Sequence, residues 1–260
     1  MMQKTFANNA KIILAPDENV IGLAAGGSWL TNQLDEFSDL DLVLVTKEKI
    51  SGDKSKMVAY AKQLGHFLSG FTGEHVGEPR VLICLYDHPL LHVDIKFLTL
   101  EELHPRVETP VLLLDKGGVI QSFLDKTSAA FPYPGYQWIE DRFWIWVHYT
   151  LLKIGRGEYM ETLDCFGFLR ANVFGPLLHI KNGNLPRGVR RAETELLTDD
   201  FSNLQSLIPD YNKKAMLESL RNAVAIYRQL RTTLFDDSIH LQNETEKRVL
   251  LYFDEIEKQE

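Results

Sequence analysis

Residues 20–46 run Val20-Ile21-Gly22-Leu23-Ala24-Ala25-Gly26-Gly27-Ser28-Trp29-Leu30-Thr31-Asn32-Gln33-Leu34-Asp35-Glu36-Phe37-Ser38-Asp39-Leu40-Asp41-Leu42-Val43-Leu44-Val45-Thr46. An apolar run ends in a turn of small residues, Gly26-Gly27-Ser28, and Asp39-Leu40-Asp41 then leads into a second apolar run. Residues two apart on a strand share a face, so Asp39 and Asp41 are predicted to project side by side from one edge of a buried strand. Two carboxylates held together are costly unless something positive sits between them. A hard divalent cation that also holds a polyphosphate meets that need. A third acid follows at Asp94, the centre of Leu91–Leu98, which alternates apolar and polar residues as a strand does.

A Gly-Gly-Ser turn, a spacer, an acid-apolar-acid triplet and a later strand acid, in that order, resemble the nucleotidyltransferase superfamily. The resemblance implies an α+β fold: a mixed β-sheet nucleotidyltransferase-fold domain, followed by an all-α helical bundle. It implies two Mg²⁺ ions held by Asp39, Asp41 and Asp94, with ATP as substrate and pyrophosphate as leaving group. Gly27 and Ser28, at the start of a helix expected over 27–34, would bind the β- and γ-phosphates. A side chain at Gly27 would block that close approach. Asp94 can also take the proton of the attacking hydroxyl. Structural alternatives exist: Asp39 as a turn cap after Ser38, and Asp94 as a strand residue paired with Lys96 or Arg80. Asp35 and Glu36 read as a solvated face.

Composition restricts the partners. The chain has 28 basic and 36 acidic residues among 260, a net charge of −8, which speaks against a nucleic-acid partner. No apolar run is long enough to span a bilayer, so no membrane partner is expected. The first residues lack the apolar core of a signal peptide, and Cys84 and Cys165 show no Cys-x-x-Cys spacing. Two buried thiols in a reducing, cytoplasmic setting are the expectation.

Two domains are expected, a catalytic one over 1–130 and a helical one over 131–260 that binds the acceptor and forms a dimer contact. Helices are predicted over 4–14 and 53–69, strands over Val20–Ala25, Leu40–Thr46, 80–86, Leu91–Leu98 and Val111–Asp115, then a helix to about 128. The 80–86 and Leu91–Leu98 strands should form an antiparallel hairpin. Phe131-Pro132-Tyr133-Pro134-Gly135-Tyr136 breaks regular structure and reads as the linker. Beyond it helices are expected over 139–154, apolar around most of its circumference, over 162–180 with a break at Gly175-Pro176, and over 216–234 and 244–257.

The helical half carries a second resemblance. Phe143-Trp144-Ile145-Trp146, Lys153 to Tyr159, Leu169-Arg170 and Arg187-Gly188-Val189-Arg190-Arg191-Ala192-Glu193 look like small-molecule antibiotic adenylyltransferases, those of lincosamides and aminoglycosides. That resemblance implies a hydroxylated small-molecule acceptor and a homodimer. Glu158 is either a cleft carboxylate, serving an acceptor or replacing Asp94 as base, or a helix-end residue paired with Arg156 or Lys153. Arg190 and Arg191 either contact the triphosphate or satisfy Glu193 and Glu195. His92 either lines the site or is a satisfied core histidine, and Trp138, Trp144 and Trp146 are core or a ligand platform. Two other readings remain: AMP transfer to a protein, as in antitoxin-like relatives, and a non-catalytic nucleotide-binding relative.

Overall fold

A computed structural model of the chain describes residues 1–258. It divides into two compact units, Met1–Phe131 and a second that begins at Pro132. The first is a mixed six-stranded sheet with helices, and the second is helical, an α+β arrangement.

In the first unit, apolar alternation fixes the strands and what they face. β1 (Val20–Ala25), β2 (Leu40–Thr46), β3 (His66–Gly73), β4 (Glu78–Asp87), β5 (Leu91–Leu98) and β6 (Val111–Asp115) lie in the order β3-β4-β5-β2-β1-β6. Only β2 and β5 pair in parallel; the other neighbours are antiparallel. Leu40, Leu42 and Leu44 of β2, Val93, Ile95 and Phe97 of β5, and Leu82, Cys84 and Tyr86 of β4 share one buried cluster. Helices α1 (Met2–Leu14) and α2 (Lys54–Gln63) cover it with Ala7, Ala10, Leu14, Met57 and Ala61. The intervening residues face the other way. There Val45 and Leu98 pack with Ile120 and Leu124 of α3 (Val119–Leu124). That second cluster occupies one end of the face. At the other end of the same face stand Asp41, Ile83, His92 and Asp94, all intermediate or exposed.

Three expected elements differ. The helix predicted over 53–69 ends at Gln63, and its last part is the edge strand β3. Gly65 interrupts the helix, and the backbone of 66–73 is taken up by the ladder with β4. The helix expected over 27–34 is a single 3₁₀ turn, Gly27–Trp29. Asn32 adopts a positive φ of 54° there, which no continuing right-handed helix accommodates. The helix expected to about 128 stops at Leu124.

In the second unit α4 (Tyr136–Arg156) is central. It buries Ile139, Phe143, Trp144, Val147, Leu151 and Ile154 against α5 (Tyr159–Leu169), α6 (Gly175–Lys181), α9 (Lys213–Leu234) and α10 (Asn243–Glu257). Its burial is one-sided rather than all round, since Ile145 is 60 % exposed. The segment expected over 162–180 is divided by a π-helical turn, Arg170–Phe174. Gly175 follows it because a Cβ there would lie 2.3 Å from the Gly188 carbonyl oxygen. Short helices α7 (Ala192–Glu195) and α8 (Thr198–Gln205) complete the unit.

One buried ionic cluster braces this bundle. The fully buried Glu140 accepts from Tyr227 Oη at 2.5 Å, from the Gln242 amide at 2.9 Å and from Arg231 Nη1 at 3.3 Å. Burial pushes the Tyr227 phenol up from its ordinary value, and the Glu140 carboxylate that it donates to adds to the effect. Among the described residues no helix is long and apolar enough to cross a membrane.

Candidate active site

Strand register assembles the acids. Asp41 and Asp94 are partners in the parallel β2–β5 ladder, and Asp94 is in turn the partner of Ile83 on β4. Paired residues project to the same side, so both carboxylates stand on the sheet face that carries no part of the main cluster. On the other side of Asp41 the chain returns in the small-residue turn, where the Gly26 amide donates to the Asp41 carbonyl at 3.0 Å. Ile83, Asp94, Asp41 and Gly26 therefore form one row across four segments. Asp39 lies just before β2 and is half-buried.

Gly27 has φ +58°, and a Cβ there would sit 2.0 Å from Asp41 Oδ2. The turn backbone thus lies directly against the carboxylate, and only glycine allows both the conformation and the approach. The Gly27 amide donates to Glu108 Oε1 at 2.8 Å. The same oxygen would lie 2.9 Å from a Cβ at Gly26. A carboxylate from the loop before β6 therefore occupies the amide that sequence reasoning reserved for phosphate. Eighty-one positions separate Gly27 from Glu108, and nothing local in the sequence marks the pair.

Two further residues escaped the sequence reading or were misread there. His92 is not a core histidine: its side chain is 50 % exposed, and its Nε2 lies 2.8 Å from Asp94 Oδ1. A carboxylate only accepts, so Nε2 carries the proton in that bond. Gln3, fully buried on α1, donates to the carbonyls of Asp35 at 2.9 Å and Ser38 at 2.7 Å. It pins the loop that delivers Asp39. Asp35 also accepts from the Ser38 hydroxyl and the Phe37 amide, which keep its carboxyl below the usual range.

Lys96, two residues beyond Asp94, pairs with Glu78 at 2.7 Å, and Arg80 grips the same carboxylate at 2.6 Å. Arg80, with help from Lys96, pulls the Glu78 carboxyl down to about 2. An all-oxygen set from Asp39, Asp41 and Asp94 suits a hard cation such as Mg²⁺. The three do not form one tight cluster: among the described residues, only His66, Asp87 and His88 bring three ligating atoms within 4.8 Å of one another. Mg²⁺ holds its oxygens at about 2.1 Å, so any two on one ion lie no more than about 4.2 Å apart, and the three carboxylates would have to draw together to share an ion.

The remaining sequence candidates lie in the second unit. Glu158, at the start of α5, binds Lys153 at 2.7 Å and Arg156 at 3.2 Å. Glu158 and Glu161 push the Lys153 ammonium up from its ordinary value. Arg191 is half-buried at φ +58°, with its guanidinium 3.7 Å from Glu195. The Arg190 carbonyl lies 3.0 Å from His179 Nε2, and its side chain is exposed. Trp144 is core, Trp146 is half-buried, and Trp138 is 46 % exposed beneath Arg142. Burial pushes the Cys84 thiol up to about 12, which makes it inert, while Cys165 is only half-buried. Cys165 lines an open cavity of about 320 Å³ with Trp146, Tyr149, Phe168, Glu161 and Asp164.

No family model matches the chain, and no curated protein is significantly similar to it. Among solved structures, an aminoglycoside 6-adenyltransferase from Bacillus subtilis is similar at 13 % identity and a TM-score of 0.43. The alignment covers 100 % of this chain and 99 % of that one. At that level the likeness decides neither fold nor chemistry, and the reading below rests on the residues themselves.

Proposed function

We propose that the chain is a Mg²⁺-dependent nucleotidyltransferase that moves AMP from ATP to a hydroxyl of a small molecule and releases pyrophosphate. The observation that carries this is the row Asp94–Asp41–Gly26 with Gly27 backed directly onto the Asp41 carboxylate. A turn of small residues and two acids are held there in one register.

Asp39, Asp41 and Asp94 are the residues that would hold Mg²⁺, which supplies positive charge where charge develops on the transferring phosphoryl group. The Gly27 amide and the Ser28 hydroxyl bind the β- and γ-phosphates once Glu108 has moved aside. In the transfer, the acceptor oxygen forms a bond to the α-phosphorus as the bond from that phosphorus to the bridging oxygen breaks. The bonding pair leaves with pyrophosphate. Asp94 takes the hydroxyl proton, and His92, bound at Asp94 Oδ1, orients the carboxylate for that task. Asp94 is preferred to Glu158 as base because Glu158 is already claimed by two cations.

The acidic balance of the chain favours a small acceptor with cationic groups, of the aminoglycoside or lincosamide kind. The test is incubation with Mg-ATP and a panel of such hydroxylated compounds, followed by mass spectrometry for the nucleotidyl adduct and assay of released pyrophosphate. Asp39→Ala and Asp41→Ala should each abolish release while the far-UV spectrum is unchanged. Absence of Mg²⁺-dependent ATP binding by the wild-type protein would defeat the proposal.

A further inference from the structure

A second set of ligating side chains lies at the far end of the β3–β4 ladder. His66, the first residue of β3, is in register with Asp87, the last residue of β4, and His88 follows in the turn towards β5. One donor atom from each lies within 4.8 Å of the other two. The imidazoles of His66 and His88 are stacked, with centroids 5.0 Å apart and planes 8° from parallel. Asp87 Oδ1 lies 3.7 Å from His88 Nδ1, and it accepts from the His88 amide at 2.8 Å. All three side chains reach solvent, His88 being 77 % exposed.

This cluster is separate from the carboxylate row. Asp87 is four residues along β4 from Ile83, the register partner of Asp94, which amounts to about 13 Å of strand. Its donors also differ in kind. Two imidazole nitrogens and one carboxylate oxygen suit a borderline ion such as Zn²⁺ and are a poor set for Mg²⁺, which takes oxygen. Tetrahedral Zn²⁺ needs its ligand atoms about 3.3 Å apart and lies in the plane of each imidazole, so the exposed, stacked rings of His66 and His88 must turn about their side-chain bonds to close on it. The ladder already fixes the backbones of His66 and Asp87, which removes part of the ordering cost of gathering the ligands.

We infer that His66, Asp87 and His88 form a binding site for a borderline divalent cation of the Zn²⁺ type, with water completing the coordination. The site is independent of the proposed transferase activity and would clamp the edge strand β3 to β4. It is tested on the full chain by titrating Zn²⁺ against a chromogenic chelator, with excess Mg²⁺ present throughout. One equivalent should bind, and His66→Ala and His88→Ala should each weaken binding by at least about tenfold. A protein carrying Asp39→Asn and Asp41→Asn should bind Zn²⁺ as the wild type does. The inference is overturned if the wild type shows no saturable Zn²⁺ binding. It is equally overturned if natively folded histidine variants keep full affinity, or if binding follows Asp39 and Asp41 instead. Should the histidine variants misfold, wild-type imidazole NMR decides: substoichiometric Cu²⁺ should broaden His66 and His88 first, and first broadening at other histidines would refute the site.

Discussion

The Glu108 carboxylate makes the proposed phosphate turn testable in an unusual direction: removing it should improve nucleotide binding. Its Oε1 accepts from the Gly27 amide at 2.8 Å, so an incoming triphosphate must break that bond before it can use the same donor. Hydrogen bonds to charged groups are worth about 1.5–3 kcal/mol. Glu108 is only half-buried, and water recovers part of that when it leaves, so about 1 kcal/mol is the net cost of displacement. A carboxylate left about 5 Å from a phosphate adds just under 1 kcal/mol of repulsion even at the dielectric of water. Glu108→Ala should therefore tighten Mg-ATP binding by about 1–2 kcal/mol, roughly 5- to 30-fold in Kd. The assay is isothermal titration of Mg-ATP into both proteins, at low and at moderate salt, with the smaller part of the gain vanishing as salt screens the repulsion. Unchanged or weaker affinity in a variant with the wild-type unfolding midpoint would refute the reasoning and leave Glu108 as a structural tether of the turn.

Gly27→Ala combines a strained positive φ with a Cβ 2.0 Å from Asp41 Oδ2, so it should displace that carboxylate. We expect a loss of about 1–2 kcal/mol in stability and a far larger fall in pyrophosphate release, measured side by side by thermal melting and turnover. Glu140→Ala strips the buried cluster of its centre, but Arg231 keeps Glu246 at 2.8 Å, so the cost should lie near the low end for a broken buried pair, about 3 kcal/mol by urea unfolding. A loss below about 1 kcal/mol would show that the cluster is not a brace. Glu78 has a lowered pKa in the folded state, so the stability it contributes is present above the ordinary carboxylate range and disappears as pH falls towards about 2. Urea midpoints between pH 5 and pH 2.5 should fall less steeply in Glu78→Gln than in the wild type, and equal slopes would contradict the assignment.

Strong local signals were legible in the sequence. Buried strands such as β2 and β5 announce themselves because each alternates or runs apolar over its whole length, and their limits match the expected Leu40–Thr46 and Leu91–Leu98. The edge strand β3 did not, because Leu68 and Phe71 are about half exposed and Leu64 and Leu68 happen to fall at helical spacing. The turn after Gly27 was overextended into a helix because small residues after a strand commonly start one, whereas here Asn32 reverses the chain.

The sequence by itself determined which residues the proposed chemistry would draw on, Asp39, Asp41 and Asp94 with Gly27 and Ser28, because acid type, glycine and strand periodicity are local properties. Only the tertiary structure decided what surrounds them. Parallel pairing of β2 with β5 sets Asp94 beside Asp41, and the main cluster with its covering helices packs on the opposite face. The chain's return eighty-one positions later brings Glu108 onto Gly27, and α1 sends Gln3 to pin the loop before Asp39. Each of these depends on distant segments meeting, and hydrogen bonds made across such separations leave no periodicity for a single sequence to display.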